Sequence, residues 1–207
     1  MLFPDARILV FAKPPVPGHS KTRIIPALGA QGAADLHERL VKRTLSTATD
    51  ARLCAVELWC AGDTNHSFFY QCQQQFSVPL QTQRGADLGE RMANALESAL
   101  EHCRYAILIG TDCPATTAND LRTAIMALKQ GNDCVLRPAQ DGGYVLVGLS
   151  NPNHLIFQNI SWGSDTVMQT TRERLKSIGW HWKELDTIWD LDRPEDLNKL
   201  SQLAIPL

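Results

Sequence analysis

Apolar residues in this chain gather in short unbroken runs that are separated by longer, patterned segments. The clearest run is Tyr105–Ile109, which has five apolar or aromatic residues and no charge, and residues 7–12 carry a second run. Such runs are typical of strands that are buried on both faces of a parallel sheet. Further extended segments are predicted at 53–60, 78–83, 133–137, 144–149 and 180–185.

Between these runs the apolar residues recur at helical spacing. Leu36, Leu40 and Leu45 fall near one face of a predicted helix, and Asp87 with Glu90 has the spacing of a capping box at the start of another. Helices are predicted at 31–49, 67–75, from 87 onward, and at 120–129, 164–178 and 194–203.

This alternation of strands and helices predicts an α/β fold, a three-layer α/β/α sandwich with a mostly parallel sheet. Residues 1–207 are interpreted as one domain, because no repeat or low-complexity linker divides them. The Asp-Gly-Gly turn at 141–143 runs directly into a strand, which indicates a hairpin. One antiparallel strand is therefore expected near the edge of the sheet.

Composition excludes several classes of partner. The net charge of −2 gives no basis for general binding to nucleic acid or to anionic membranes. No run approaches the ~18 apolar residues of a membrane span, and the N-terminal residues lack a signal-peptide pattern, so a cytoplasmic location is expected. The six cysteines form no C-x-x-C pair and are interpreted as reduced core residues.

One acid stands at the end of the most apolar strand. Asp112 follows the run at 105–109 through Gly110 and Thr111. In open α/β sheets, ligands bind outside the carboxyl ends of the strands, so Asp112 is a candidate for chemistry. The alternative is that Asp112 only caps the turn or helix that follows.

The loop after the first strand is basic and rich in proline and glycine. No Asp or Glu occurs from Ala6 to Ala34, and this window contains Arg7, Lys13, His19, Lys21 and Arg23. Backbone N–H groups and cationic side chains in such a loop suit an anionic ligand, above all a diphosphate. The alternative is a solvated basic loop.

A third stretch runs from Gln83 to Met92. Gln83 and Arg84 could read the edge of a base, and the glycines at 85 and 89 would allow a ligand to approach the backbone closely. Asp87 has the alternative role of a helix N-cap. The turn at 141–144 is a fourth stretch, whose alternative is an ordinary β-turn.

The fifth stretch contains Asp190 and Asp192, two acids that lie on the same side of an extended segment. Together with Asp112, one of them could complete a Mg²⁺ or Mn²⁺ site, which needs oxygen ligands and often only one or two carboxylates. The alternative is that Asp192 caps the last helix, since Glu195 follows three residues later.

Taken together, these stretches resemble the bacterial nucleotide-diphospho-sugar-transferase-like family of GT-A fold, which is related to 2-phospholactate guanylyltransferase and molybdenum-cofactor guanylyltransferase. The matching pieces are the segments 11–23, 83–92, 110–114, 138–144 and 190–196, with Trp162 and Thr166. They span nearly the whole chain in order. One departure is Thr-Asp-Cys at 111–113, where GT-A glycosyltransferases commonly have Asp-x-Asp.

The resemblance implies a role for each of these stretches. Nucleotide binding is expected at Ala12, Lys13, Pro14, Gly18, Lys21, Thr22, Arg23, Gln83, Gly85, Asp87, Leu88, Gly89 and Arg91. Acceptor binding is expected at Asp141, Gly142, Gly143, Tyr144 and Trp162. A Mg²⁺ or Mn²⁺ ion is expected on Asp112, with Asp192 as second ligand and Asp190 as the fallback. Asp112, Lys21 and Asp141 are the expected catalytic residues.

The function that follows is a metal-dependent, glycosyltransferase-like transfer from a nucleotide sugar to a small-molecule acceptor. The first alternative is a nucleotidyltransferase, guanylyltransferase-like, that joins a nucleoside triphosphate to a phosphorylated small molecule and releases pyrophosphate. The second is a non-catalytic nucleotide-binding module. The expected partners are thus a nucleotide or nucleotide sugar and an acceptor, and pairing as a homodimer is left open.

Overall fold

The structure, a computed structural model, describes residues 1–200 and has one mixed sheet at its centre. Its seven strands lie in the order β3-β2-β1-β4-β6-β5-β7. They are β1 (Ala6–Ala12), β2 (Ala55–Cys60), β3 (Leu80–Thr82), β4 (Tyr105–Ile109), β5 (Cys134–Pro138), β6 (Tyr144–Leu149) and β7 (Trp182–Glu184). Strands β1 and β4 are parallel neighbours in the interior of the sheet, which confirms the prediction made from their apolar runs.

Helices cover the two faces of this sheet. They are α1 (Ile25–Asp50), α2 (Ser67–Phe76), α3 (Leu88–Leu100), α4 (Ala118–Lys129), α5 (Val167–Ser177) and α6 (Leu197–Leu200), with 3-10 turns at Thr22–Ile24, His154–Phe157 and Pro194–Asp196. Successive residues of β1 point to opposite faces: Ile8 and Val10 pack in one apolar cluster, and Leu9 and Phe11 in the other. The predicted three-layer α/β/α sandwich is therefore confirmed.

Several helix boundaries differ from the prediction, among them the start of α4, which is Ala118 rather than 120. Helix α1 begins at Ile25 rather than at 31, because the chain continues through a kink at Gly29, where φ is 72°. Helix α5 begins at Val167 rather than at 164, because the Ser164 hydroxyl holds a turn by donating to the Ser161 carbonyl at 2.7 Å. The last predicted helix, 194–203, begins as a 3-10 turn at Pro194–Asp196 and is α-helical from Leu197, and its predicted end lies outside the described residues.

The antiparallel strand β6 corrects a prediction. Its direction is as expected, but it lies between β4 and β5 in the interior of the sheet and not near the edge. The reason is its apolar character: Leu146, Val147 and Leu149 are all buried. Gly148 completes the fit, since a Cβ there would lie 2.7 Å from a methyl group of Val135.

Among residues 1–200, none of the helices combines the length and the apolar character that crossing a membrane requires.

Candidate functional site

A cleft of about 680 Å³ opens where β1 and β4 end. Ala12, the last residue of β1, and Gly110, the first after β4, both line it. The predicted site residues that line the cleft are Ala12, Lys13, Lys21, Thr22, Arg23, Gln83, Leu88, Arg91, Asp112, Asp141, Gly143, Tyr144, Trp162, Asp190 and Asp192. Pro14, Gly18, Gly85, Asp87, Gly89 and Gly142 are not among the lining residues. The sheet thus gathers residues from all five sequence stretches at one place.

The basic loop after β1 is held in shape by its own hydrogen bonds. The Ser20 hydroxyl donates to the Pro14 carbonyl at 3.0 Å and accepts from the Val16 N–H at 2.9 Å. Gly18 takes a positive φ of 81°, which suits a tight turn. Hydrogen bonds within the loop therefore fix the course of its backbone.

Lys21 reaches out of this loop to the end of β4. Its ammonium Nζ lies 2.8 Å from Oδ1 of Asp112 and also donates to the carbonyl of Leu191. Only 5% of the Lys21 side chain is exposed, whereas 55% of the Asp112 side chain is. The enclosed cation therefore leaves much of the carboxylate accessible to a ligand.

Arg23 makes the second link between the basic loop and the acids. Its guanidinium donates to Oδ2 of Asp192. This hydrogen bond, together with the charges of Asp192 and Asp141, raises the pKa of Arg23 above its ordinary value. Asp192 is not the cap of the last helical turn, because the N-cap position is Arg193. The Asp196 carboxylate accepts the backbone N–H groups of Asp192 and Arg193.

Acidic side chains collect on the same side of the cleft. Burial raises the pKa of Asp190, and the negative charges of Asp141, Asp192 and Asp112 raise it further. These four carboxylates supply oxygen donors only, which is the donor chemistry that Mg²⁺ and Mn²⁺ prefer. Within the described part of the chain, no three acids, histidines or cysteines are already arranged around one metal position. The donor set therefore fits a cation that takes one or two carboxylates and completes its shell with phosphate and water.

The opposite wall carries the Gln83 stretch. The Gln83 amide donates through Nε2 to the Trp59 carbonyl at 2.8 Å, which leaves its Oε1 to act as an acceptor. Asp87 is the N-cap of α3, accepting the Glu90 N–H at 2.8 Å, as the alternative for this residue proposed. Gly85 has a φ of 144°, and a Cβ there would lie 2.7 Å from the backbone nitrogen of Arg91. Asp87 and Gly85 thus shape the start of α3 and are not among the residues that line the cleft.

The turn between β5 and β6 closes the cleft at its far end. Asp141 accepts the Gly143 N–H through Oδ1 at 2.9 Å, and Gly142, with φ of 90°, accepts the Met168 N–H at 2.8 Å. Tyr144 packs edge-on against Trp162, with ring centroids 6.2 Å apart. Burial raises the pKa of the Tyr144 hydroxyl above its ordinary value.

His37 lines the cleft and was missed by the sequence analysis. It lies on the buried face of α1, and its Nε2 is 3.0 Å from the Lys13 carbonyl. A carbonyl can only accept, so Nε2 carries the proton. Burial lowers the pKa of this imidazole, although the Asp112 charge acts in the opposite direction. The only signal in the sequence was a histidine one residue after Leu36, within an apolar face.

Residues 44–164 match the sequence model of the family DUF2064, described as uncharacterized proteins conserved in bacteria. The chain belongs to this family. A comparison with curated proteins gave no match. Among solved structures, a candidate nucleotide-diphospho-sugar transferase from Desulfovibrio desulfuricans G20 is similar to this chain, with 29% identity and a TM-score of 0.88 over 97% of this chain and 88% of the other.

Two more distant structures share the fold with this DUF2064 chain. CMP:2-keto-3-deoxy-manno-octonic acid synthetase in complex with CTP has a TM-score of 0.60 at 10% identity, covering 97% of this chain and 98% of the other. Rv0371c from Mycobacterium tuberculosis H37Rv in complex with manganese has a TM-score of 0.55 at 16% identity, covering 95% and 97%. The expected nucleotide-diphospho-sugar-transferase fold is thereby confirmed.

Proposed function

We propose that this protein is a metal-dependent transferase that moves a sugar from a nucleotide sugar to a small-molecule acceptor. One observation carries the proposal: a single cleft at the carboxyl ends of β1 and β4 is lined by the cations Lys13, Lys21 and Arg23 and, beside them, by a group of carboxylates. The similar structure from Desulfovibrio desulfuricans G20, a candidate nucleotide-diphospho-sugar transferase, supports this choice of substrate.

The proposed division of the cleft follows its walls. The basic loop binds the diphosphate, and the Gln83 wall, with Leu88 and Arg91, receives the nucleoside. The sugar and the acceptor lie toward Asp141, Tyr144 and Trp162. Each class of group would thus meet side chains of matching chemistry.

In the proposed reaction, an acceptor hydroxyl attacks the anomeric carbon, a new glycosidic bond forms, and the bond to the diphosphate breaks. Asp141 takes the hydroxyl proton as general base. Lys13, Lys21 and Arg23 stabilise the negative charge that develops on the departing nucleoside diphosphate. When bound by Asp112 with Asp192 or Asp190, Mg²⁺ or Mn²⁺ would supply further neutralisation of that charge.

A second candidate function is nucleotidyl transfer. The observation in its favour is that β4 is followed by Thr-Asp-Cys with one carboxylate, and not by the Asp-x-Asp of many glycosyltransferases. The CTP-bound synthetase of the same fold is consistent with such chemistry. In that reaction, a substrate phosphate attacks the α-phosphorus of a nucleoside triphosphate, and pyrophosphate leaves.

The products distinguish the two reactions. The protein is first screened by thermal shift against nucleoside triphosphates and nucleotide sugars, with and without Mn²⁺, and then incubated with the stabilising compounds and an acceptor panel. Release of nucleoside diphosphate, lost in Asp141→Asn, supports sugar transfer, whereas release of pyrophosphate supports the second candidate. If no nucleotide compound stabilised the protein at any metal concentration, both proposals would be wrong.

A further inference from the structure

Two of the cations proposed for the phosphates are bound in this structure to two of the acids proposed for the metal. The Lys21 ammonium contacts Asp112, and the Arg23 guanidinium donates to Asp192. If the phosphate site and the metal site were independent, their side chains would not need to pair with one another. Here two of the three cations proposed for the phosphates, Lys21 and Arg23, are instead paired with acids proposed for the metal.

Lys21 lies at the junction of the two acidic segments. Its ammonium is shared between the Asp112 carboxylate and the carbonyl of Leu191, the residue between the acids at 190 and 192. The backbone joins the same segments, since the Leu191 N–H donates to the Asp112 carbonyl at 2.8 Å. Carboxylate and carbonyl oxygens are also ligands of Mg²⁺ and Mn²⁺. The ammonium therefore satisfies the oxygen atoms that a divalent cation would use.

The backbone of Lys21 has an unusual conformation. Its φ and ψ are 50° and 45°, the left-handed region that residues with a Cβ seldom adopt. Such conformations cluster at ligand sites and switch regions. Arg23 is in a different situation, because 66% of its side chain is exposed and it can change partners without rearranging the loop.

We propose that Lys21 and Arg23 stand in for the divalent cation in the nucleotide-free protein, and that they exchange partners when nucleotide and cation enter together. Lys21 and Arg23 then pass to phosphate oxygens, while Asp112 and Asp192 pass to the metal. This exchange rests on the proposed function, because it assumes that both ligands bind in this cleft.

Charge balance explains why each ligand would need the other. The two ion pairs are neutral as a group. A cation alone would displace an enclosed ammonium that then has no anion, and a diphosphate alone would draw Lys21 away and face an unpaired carboxylate. Cation and nucleotide are therefore expected to bind weakly one at a time and cooperatively together.

The first test measures Mn²⁺ binding to the nucleotide-free protein by electron paramagnetic resonance. Lys21→Met is expected to raise the Mn²⁺ affinity by about tenfold, a typical size for coupling between two ligands. Lys42→Met is the matched control: it removes the same charge, and Lys42 pairs with Glu38 on α1, among residues that do not line the cleft. Equal Mn²⁺ affinity in the wild type and both variants would overturn the exchange.

Arg23→Gln guards against a folding defect in Lys21→Met. The exposed Arg23 side chain can be replaced without opening the core, and this variant is also expected to bind Mn²⁺ more tightly than the wild type does. Circular dichroism confirms that both variants are folded. If Lys21→Met is unfolded and Arg23→Gln leaves the affinity unchanged, the exchange is likewise overturned.

The second test uses inorganic pyrophosphate as the probe in the absence of metal. Asp112→Asn frees Lys21 and is expected to raise the pyrophosphate affinity by about tenfold, whereas Glu38→Gln is expected to leave it unchanged. No gain in Asp112→Asn would overturn the exchange.

Transfer assays keep the two proposals distinct. If the wild type transfers sugar but Lys21→Met gains no Mn²⁺ affinity, only the exchange is contradicted. Both affinity gains in a protein that transfers no sugar contradict only the proposed function.

Discussion

Gly89 lies against the indole ring of Trp162, and no larger residue fits between them. A Cβ on Gly89 would be 2.8 Å from Cζ2 and Nε1 of that ring and 2.6 Å from the Phe157 carbonyl oxygen. Gly89 is the second residue of α3, where alanine would ordinarily be favoured by about 1 kcal/mol. Packing thus overrides helix propensity at the point where the proposed nucleoside wall meets the proposed acceptor wall.

Gly89→Ala is expected to destabilise the protein by about 1–3 kcal/mol, the usual cost of forcing extra atoms into a packed site. The change should also shift the tryptophan fluorescence spectrum, because the Trp162 ring must move. Chemical denaturation measures the free energy of unfolding. Gly110→Ala is the control, since a Cβ there meets no atom within 4 Å. Equal destabilisation of both variants would contradict the packing argument.

Asp190→Asn is expected to stabilise the protein at neutral pH. The folded-state pKa of Asp190 is raised, so its stabilising contribution is present below the unfolded pKa and is lost as pH rises through the folded value. At pH 7 the ionised Asp190 therefore lowers the folding stability of the wild type, and the neutral amide that replaces it does not lower that of the variant. The melting temperature of the variant should be higher by about 1–3 °C for a chain of this size.

The difference should close below about pH 3.9, the ordinary pKa of aspartate, where Asp190 is protonated in both states. Asp35→Asn changes the same charge on α1, at an exposed position that does not line the cleft. A gain in Asp190→Asn that persisted unchanged at the acidic end would show that the carboxylate charge is not its cause.

His37 is expected to make folding stability depend on pH. Burial lowers its folded-state pKa, so the stability that it contributes is present above the unfolded pKa of about 6.5 and is lost as pH falls toward the folded value. The free energy of unfolding should therefore fall by at most about 1.4 kcal/mol per pH unit through this residue. In His37→Gln, which cannot titrate, that part of the slope should be absent. If the free energy of unfolding had the same pH dependence in the wild type and in His37→Gln between pH 5 and 8, His37 would not be the group responsible.

Gln83→Glu is expected to weaken nucleotide binding by about 1–2 kcal/mol, the cost of losing a hydrogen bond and leaving a polar group unpaired. The carboxylate cannot donate to the Trp59 carbonyl, so the side chain loses the contact that orients it. Titration calorimetry with nucleoside diphosphates measures the effect. Gln81→Glu adds the same charge to exposed β3 and serves as control. Equal nucleotide affinities in both variants would show that Gln83 does not contribute to nucleotide binding.

Local pattern was enough to predict much of the fold. The unbroken apolar runs of β1 and β4 specify burial on both faces, and Asp87 caps the start of α3, as its spacing to Glu90 indicates. The position of β6 in the sheet could not be predicted from local pattern, because that pattern indicates the burial and direction of the strand but not which strands lie beside it. The neighbours of a strand are set by contacts between distant segments.

The same limit applies to the candidate site. The basic window and the acids at 112, 190 and 192 are visible in the sequence, and spacing suggested that Asp192 and Glu195 form a cap. The N-cap position is Arg193 instead, and Asp192 pairs with Arg23, a residue 169 positions away. No local pattern encodes such a pairing. Single-domain organisation and a cytoplasmic location stay predictions, and the oligomeric state stays open.

The interior position of β6 has a consequence for how this protein can diversify. Strands β3, β2, β1 and β4 come from the first 109 residues, and β6, β5 and β7 from residues 134–184, so the β4–β6 ladder is a seam between two contiguous parts of the chain. Recombination after α4 would exchange the proposed acceptor wall while the basic loop and the Gln83 wall were inherited intact. The segment around residues 190–192 returns across this division to the cleft, where Leu191 is bonded to Asp112 and Lys21 and Asp192 is bonded to Arg23. A viable chimera has to preserve these contacts.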